Sequence, residues 1–277
     1  MAKKILAGFV MVLIIVTSIR LFNRESQPAP STTKTLATER RQSSSDASTE
    51  ASEVYDDLPV GSKEDPALIL VNHNQPMKEN TVLPITIMKN GYEIAEMAFD
   101  AYYALEQAAK EAGLDLTVVS AYRSVENQQN VYDNSIQEYV AQGKSEERAR
   151  KLTDDYIAIP GTSEHHTGLA LDVVDQDWYA DEKGLEPEFG QTKAGKWLAN
   201  NVTDYGFIIR YPKEKEEITG IQYEPWHIRY VGKEHAAYMK KYDLTLEQYI
   251  ERFEEKEKNG TKKSDTKKVE KEGRSSK

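Results

Sequence analysis

Two polar, low-complexity stretches confine any folded core of this chain to its middle. Residues 23–56 are rich in Ser, Thr, Gln and Glu, and residues 254–277 consist mostly of Lys, Glu, Ser and Thr. Segments with so few apolar residues cannot bury enough surface to offset the entropy that is lost on ordering. We therefore predict a disordered linker over 24–59, one folded domain over 60–252 and a disordered charged tail over 253–277.

A basic and then apolar segment at the N-terminus indicates export. Lys3 and Lys4 precede an uncharged run over residues 5–19, and this segment is at the short limit of a membrane span. A basic start followed by apolar residues is typical of a secretory signal or a signal-anchor. We predict a transmembrane signal-anchor over 1–23, with the basic end in the cytoplasm and the domain outside the cell. Secretion after cleavage of the segment is the alternative.

The absence of cysteine and the acidic charge exclude several classes of site and partner. With no Cys among 277 residues, the chain has no disulfide framework, no thiolate nucleophile and no thiolate metal site. The net charge is −10, and because both ends of the chain are basic, the acidic charge is concentrated in the predicted domain. An acidic domain argues against a nucleic-acid partner. Any metal must be held by carboxylates and by the five histidines.

The order of hydrophobic patterns in the domain predicts an α+β fold. Apolar residues at helical spacing predict a helix over 94–109, and Ser124, Ser145 and Thr245 are candidate N-caps of later helices. A long helix is also expected over 192–205, ending at a glycine. Helices that come first and are then mixed with strands favour an α+β domain. The predicted strands are 67–71, 116–121, 169–174, 207–210 and 226–231.

An aspartate inside an apolar strand is the first sign of a functional site. In the run GLALDVV, side chains alternate between two faces. Leu169 and Leu171 suit a core, whereas the other face carries Asp172 among small residues. A carboxylate in an apolar strand is costly unless it is paired or bound to a metal. This cost motivates a ligand role for Asp172.

A second strand, WHIRYV, would hold His227 in a fixed position. Glu224 precedes Pro225, which biases it away from helix and places it at the entrance of this strand. A carboxylate there can approach a water activated by a metal without ligating the metal itself. Glu224 is therefore a candidate general base.

These residues suggest a zinc site. Catalytic zinc needs three protein ligands and an open position for water, whose pKa it lowers to about 7. His165, Asp172 and His227 can supply the ligands, while Arg123 can clamp a carboxylate or stabilise an oxyanion. Spacing alone leaves structural roles open for each of them, because an H-x6-D pattern is common by chance. The other three histidines are predicted to be exposed, namely His73, His166 and His235.

Three motifs follow one another in the domain. They are SAYRSVENQ from Ser120, SEHHTGLALD from Ser163 and EPWH from Glu224. In this order they resemble the motifs of the VanY-type D-alanyl-D-alanine carboxypeptidase family. The resemblance covers about residues 66–250. It implies a small α+β zinc-peptidase domain in which helices flank an antiparallel sheet.

The resemblance also implies roles for individual residues. One Zn²⁺ per domain would be bound by His165, Asp172 and His227. Glu224 would be the catalytic base and later the acid for the leaving amine, and Arg123 would stabilise the reacting carbonyl. The resemblance places Ser163 and Gln128 in the substrate pocket, and Tyr122 is a further candidate for the pocket, with a place in the core as its alternative.

The function implied by the resemblance is that of an extracytoplasmic zinc carboxypeptidase. It would remove the terminal D-alanine from peptidoglycan stem peptides, with a D,D cut on the pentapeptide. Three alternatives stay open: an L,D-carboxypeptidase acting on tetrapeptide stems, a peptidoglycan endopeptidase and a non-catalytic wall-binding module. The expected partners are stem peptides and the cytoplasmic membrane, with no nucleic acid, and the protein is expected to be a monomer.

Overall fold

A computed structural model describes residues 57–78, 81 and 83–258. The predicted signal-anchor over 1–23, most of the predicted linker and the tail from residue 259 onward lie outside the described residues. Among the helices of the described part, none combines the length and the hydropathy that a bilayer span requires. The described residues from Pro59 onward belong to one compact unit.

The strands are β1 (Ile85–Ile87), β2 (Glu93–Ala95), β3 (Leu116–Ser120), β4 (Ala170–Asp175), β5 (Phe207–Tyr211) and β6 (Glu224–Tyr230). The last four form an antiparallel sheet at the centre of this unit, with strand order β3-β4-β6-β5. The short strands β1 and β2 form a separate antiparallel pair. Because β4 and β6 are the inner strands of the central sheet, both are hydrogen-bonded on two sides.

Helices flank the sheet and confirm the predicted α+β class. The α-helices are α1 (Glu96–Glu111), α2 (Val125–Ala141), α3 (Glu146–Asp154), α4 (Gln176–Ala180), α5 (Lys193–Asn201), α6 (Glu216–Thr219), α7 (Lys233–Lys241) and α8 (246–258). The hydroxyl oxygens of Ser124 and Ser145 accept hydrogen bonds at the starts of α2 and α3. Thr245 and Gln248 form the predicted capping box of α8.

One face of the sheet packs into the hydrophobic core. Leu171 and Ile228, from the two inner strands, lie in one buried cluster with Leu105 of α1 and Leu198 of α5. Burial of each such side chain contributes about 1.5–3 kcal/mol. Because side chains alternate along a strand, the residues adjacent in sequence to Leu171 and Ile228 point to the opposite face of the sheet. That opposite face carries the polar groups.

Three details differ from the sequence prediction. The strand expected over 67–71 is wrong, because Asp65 caps a 3-10 helix at Pro66–Leu68, and the fixed φ of Pro66 suits a helix start. The helix expected over 192–205 ends as α5 at Asn201 and continues as a 3-10 turn to Gly206. Helix α8 runs to residue 258, past the domain boundary that was predicted at 252.

Candidate metal centre

Asp172 and His227 face each other across the two inner strands. The antiparallel register pairs Asp172 of β4 directly with His227 of β6, on the face opposite the core. His165 lies just before β4, in the 3-10 helix Glu164–Thr167. The three side chains, distant in sequence, are therefore brought together by one pair of strands and the turn that leads into it.

Gly168 allows the chain to turn directly from the 3-10 helix that carries His165 into β4. Its φ of +71° is left-handed, a conformation that glycine adopts at little cost. A Cβ at this position would lie 2.9 Å from the backbone nitrogen of Ala95 and 2.5 Å from Cδ1 of Ile85. The chain can therefore turn from His165 into β4 only because residue 168 has no side chain.

The ligand atoms of the three residues lie close enough together to hold one divalent ion. Nε2 of His165 lies 3.2 Å from Oδ2 of Asp172, and Nδ1 of His227 lies 3.2 Å from Oδ1. Zinc bonds of ~2.0–2.2 Å place neighbouring ligand atoms about 3.3–3.6 Å apart. All three residues are 4% exposed, their ligand atoms lie within 4.8 Å of one another, and Oδ1 of Asp172 has no hydrogen-bond partner among the described residues. Two imidazoles and one carboxylate suit zinc.

The protonation states of His165 and Asp172 also suit a metal. Nδ1 of His165 lies 2.7 Å from the carbonyl oxygen of Ala121, so Nδ1 carries the proton and Nε2 keeps its lone pair. Burial lowers the pKa of His165, which favours the neutral ring although Asp172 opposes the shift. Burial alone would raise the pKa of Asp172, but His165 and His227 hold that pKa well below its usual range.

Glu224 lies beside the three candidate ligands. It is the first residue of β6, it is buried, and its Oε2 is 3.4 Å from Nδ1 of His227. Burial raises the pKa of Glu224 to about 7, although His227 opposes the shift. The site therefore contains one carboxyl group that can gain or lose a proton near neutral pH.

Arg123 is held against the site by hydrogen bonds. Its Nη1 donates to Oε1 of Gln128 over 2.8 Å, and its Nη2 donates to the hydroxyl of Ser120. Nη2 also lies 3.9 Å from Oδ2 of Asp172. Nε2 of Gln128 in turn donates to the carbonyl oxygen of Ala158. Gln128 is thus buried behind the guanidinium and fixes its orientation.

The two other residues assigned to the substrate pocket differ in exposure. Ser163 is buried directly before the helical turn that carries His165, and no hydrogen bond from its hydroxyl is found within the described part of the chain. Tyr122, next to Arg123, is 37% exposed, and its backbone N–H donates to the carbonyl oxygen of Glu93. Ser163 therefore offers a hydroxyl close in the chain to the candidate ligand His165, and Tyr122 offers a ring that is open to solvent.

The exposure predicted for two histidines is wrong. His166 is buried, with Nδ1 2.7 Å from the carbonyl oxygen of Arg123 and with Nε2 accepting from the N–H of Gly161. His235 is buried too, and its Nδ1 lies 2.6 Å from the hydroxyl of Tyr249. Their partners come from other segments of the chain, so the local pattern did not reveal them. His73 is exposed, as predicted.

Sequence reasoning missed a buried ionic cluster beside the site. Oε1 of Glu164 accepts hydrogen bonds from Nε of Arg210 over 2.7 Å and from Nη1 of Arg229 over 2.8 Å. All three side chains are buried. The available signal was Arg229, a charge that shares a strand face with His227 in an otherwise apolar run. Its partner Glu164 lies 65 residues away in the chain.

Comparison with known proteins points to one family. Residues 92–233 match the family described as "VanY: D-alanyl-D-alanine carboxypeptidase". A relative from Bacillus subtilis (strain 168), named "Putative carboxypeptidase YodJ", is 44% identical over 159 residues, which cover 57% of this chain and 54% of that protein. The chain therefore spans about half the length of this curated relative.

Two of the solved structures that match are similar to the chain in both fold and sequence. A vancomycin resistance D,D-pentapeptidase VanY, in complex with Zn(II), superposes with a TM-score of 0.60 and 35% identity, over 67% of this chain and 99% of that one. The LdcB LD-carboxypeptidase superposes with a TM-score of 0.57 and 37% identity, over 68% of this chain and 88% of that one. Both likenesses confirm the predicted α+β fold with an antiparallel sheet.

Proposed function

The chain belongs to the VanY family of D-alanyl-D-alanine carboxypeptidases, and on this premise we propose that it is a zinc-dependent enzyme of this kind. It hydrolyses the terminal D-alanine from peptidoglycan stem peptides. The observation that carries the proposal is the buried cluster of His165, Asp172 and His227, whose ligand atoms lie within 4.8 Å of one another, with Glu224 beside it.

Nε2 of His165, Nδ1 of His227 and the carboxylate of Asp172 would hold the zinc. When bound by three protein ligands, zinc polarises a substrate carbonyl and lowers the pKa of a water molecule to about 7. Asp172 and His227 are held by the paired strands β4 and β6, and His165 is held by the 3-10 helix before β4 and by its hydrogen bond to Ala121.

Glu224 moves the proton in the reaction. Its carboxylate removes a proton from the attacking water and later donates it to the nitrogen of the departing D-alanine. A group that does both works best with a pKa near the operating pH. The value of about 7 for Glu224, which burial produces, supports this role.

Arg123 stabilises the negative charge that develops on the scissile carbonyl oxygen. Its guanidinium is held by Gln128 and Ser120, so it is oriented before substrate binds. Both the oxygen and the nitrogen of the Gln128 side-chain amide are hydrogen-bonded within the protein, so Gln128 supports the substrate pocket through Arg123. Ser163 and Tyr122 contact the peptide itself, the first through its hydroxyl and the second through its exposed ring.

An L,D-carboxypeptidase acting on tetrapeptide stems is the second candidate. It is favoured by the 37% identity to the LdcB LD-carboxypeptidase. Both candidates use the same ligands and base, so they differ only in which stem peptide fits the pocket.

Incubation of the detergent-solubilised, zinc-loaded full chain with synthetic pentapeptide and tetrapeptide stems distinguishes the two. Release of D-alanine from the pentapeptide supports the D,D cut, and release from the tetrapeptide alone supports the L,D cut. Internal fragments of the stem would indicate an endopeptidase. A zinc-loaded protein that cleaves neither stem contradicts the proposed function.

We further propose that residues 1–23 anchor the enzyme in the cytoplasmic membrane and that 24–59 tether the domain outside it. Lys3, Lys4 and the uncharged run over 5–19 support this topology. The protein should stay in the membrane fraction after an alkaline wash and be digested by protease added outside the cell. Recovery of a soluble form that begins after residue 23 would instead indicate a cleaved signal.

A further inference from the structure

Glu164 is a fully buried carboxylate whose two oxygens have different surroundings. Oε1 accepts hydrogen bonds from both Arg210 and Arg229. Oε2 points toward the imidazole of His227, and it has no hydrogen-bond partner among the described residues. The two guanidinium groups keep Glu164 ionised, so Oε2 is an acceptor with unused capacity.

Close to that acceptor lies the ring nitrogen of His227 that faces away from the candidate metal position. Nε2 of His227 lies 3.8 Å from Oε2 of Glu164, and within the described residues this nitrogen also has no hydrogen-bond partner. Nδ1, on the other side of the ring, faces Asp172 and Glu224. Because the imidazole lies between Glu164 and the ligand atoms, Glu164 is not itself a ligand.

We propose that Glu164 is a positioning residue of the metal site: when the metal binds, the 3.8 Å gap closes, Oε2 accepts the Nε2–H of His227 and the lone pair of Nδ1 is thereby directed to the metal. The inference rests on the proposed zinc function. A neutral imidazole carries one proton, so an acceptor at Nε2 decides which nitrogen remains free to coordinate. A carboxylate in this position also makes the ligand more basic and fixes its ring orientation.

The arginines hold Glu164 in place from two directions. Arg210 binds Glu247 of α8 through Nη1 and Nη2, at 3.0 and 2.6 Å. Arg229 donates through Nη2 to the carbonyl oxygens of Ala67 and Ile69. The carboxylate is therefore linked through the two arginines to α8 and to the segment that enters the domain, which keeps it beside His227.

Glu247 provides a matched control, because it binds the same Arg210 without contacting His227. We therefore compare Glu164→Gln with Glu247→Gln in the full chain, solubilised in detergent. Zinc affinity is measured by competition with a chromophoric chelator, and the absorption spectrum of the Co²⁺-substituted protein reports the ligand geometry. Urea unfolding of the metal-free protein measures stability.

We expect Glu164→Gln to lower zinc affinity about 10–100-fold and to alter the Co²⁺ spectrum. Glu247→Gln should lower stability and leave zinc affinity within about twofold of the wild type. Unchanged affinity in Glu164→Gln, or an equal loss in both variants, overturns the inference. A wild-type chain that binds no zinc would refute the proposed function instead, so the two failures are distinguishable.

If Glu164→Gln does not fold, a measurement on the wild type tests the proposed role of Glu164 instead. Nitrogen-15 NMR of the zinc-loaded full chain reports which imidazole nitrogen carries the proton. The inference requires His227 to be protonated at Nε2 and metal-bound at Nδ1. Protonation at Nδ1, or coordination through Nε2, would overturn it.

Discussion

Three carboxyl groups lie around His227, and their pKa values differ because their surroundings differ. Asp172 and Glu164 have their pKa values held well below the usual range, the first by two histidines and the second by two arginines, although burial opposes both shifts. Burial prevails only at Glu224, where it raises the pKa to about 7. Of the three, only Glu224 can therefore exchange a proton near neutral pH, and this supports its proposed role.

Replacement of Glu224 should separate catalysis from metal binding. We expect Glu224→Gln to lower kcat about 10²–10⁴-fold, because the amide cannot accept a proton from water. Zinc content, measured by atomic emission, should stay near that of the wild type. As the control, Asp172→Asn should lose both activity and zinc. A Glu224→Gln enzyme that retains more than a tenth of wild-type kcat would contradict the assignment.

Zinc binding should weaken as pH falls, and the decline should begin above pH 6.5. Burial would lower the pKa of His227, but Asp172, Glu164 and Glu224 raise it well above its usual value in the metal-free protein. Zinc must displace this proton, so the apparent affinity falls by about tenfold per pH unit for each proton displaced. Chelator competition between pH 8 and 5.5 tests the expectation, and an affinity that is flat over this range counts against histidine ligation.

At the scale of elements, the site depends on the register between β4 and β6. A slip of one residue would turn Asp172 or His227 toward the core, because side chains alternate with period two. Leu171 and Ile228 oppose such a slip, since they would leave the core at the same time. The same hydrophobic pairing that builds the sheet therefore also sets the positions of the ligands.

Gly168 is the element-scale position that we expect to tolerate change least. Gly168→Ala combines a left-handed backbone with a clash against the backbone of Ala95, and should lower the free energy of unfolding by about 2–5 kcal/mol. Gly143→Ala is the matched control, with a φ of +85° and nothing within 4 Å of an added Cβ. It should cost only about 1 kcal/mol. Equal losses in urea unfolding would show that the contact with Ala95 is unimportant.

At the scale of the whole domain, buried polar pairs join its two ends to the site. Arg229 binds the backbone of the entering segment, and Arg210 binds Glu247 of α8. His235 of α7 pairs with Tyr249 of α8, and Phe253 is buried beyond the predicted domain boundary. Helix α8 is thus an integral part of the enzyme domain.

His235 should lower the free energy of unfolding below pH 6.5, against the opposite contribution of Glu224, whose pKa is raised. Burial lowers the pKa of His235, although Asp65 opposes the shift. The unfolded chain therefore takes up this proton at higher pH than the folded one, and the stability that His235 contributes is full above about pH 6.5 and declines below it. One such proton gives a slope of at most about 1.4 kcal/mol per pH unit. Urea unfolding of the metal-free chain from pH 7.5 to 5.5 measures it.

A variant isolates this contribution from that of the other buried histidines. His235→Asn keeps a group that can hydrogen-bond to Tyr249 but cannot titrate. Between pH 7.5 and 5.5 its free energy of unfolding should fall less, or rise more, than that of the wild type, because the other titrating groups contribute equally in both proteins. The same slope in both proteins would show that His235 does not contribute.

Much of the fold and of the candidate site could be predicted from local patterns. Alternation in β4 and β6 placed Leu171 in the core and Asp172 and His227 on the opposite face, as the structure has them. The sequence prediction failed where a side chain depends on a distant partner: His166 and His235 are buried, and the segment over 67–71 is not a strand. Glu164 was missed because both of its arginines come from later strands.

The sequence by itself determined which side chains can do chemistry here, because side-chain type and strand alternation are local properties. The tertiary structure alone decided how those groups are ionised and oriented. Burial and neighbouring charges set each pKa and each imidazole tautomer, and at Glu164 the charges come from residues 46 and 65 positions away. Electrostatic interactions depend on distance in space and on the loss of water, and a chain acquires both only when it folds.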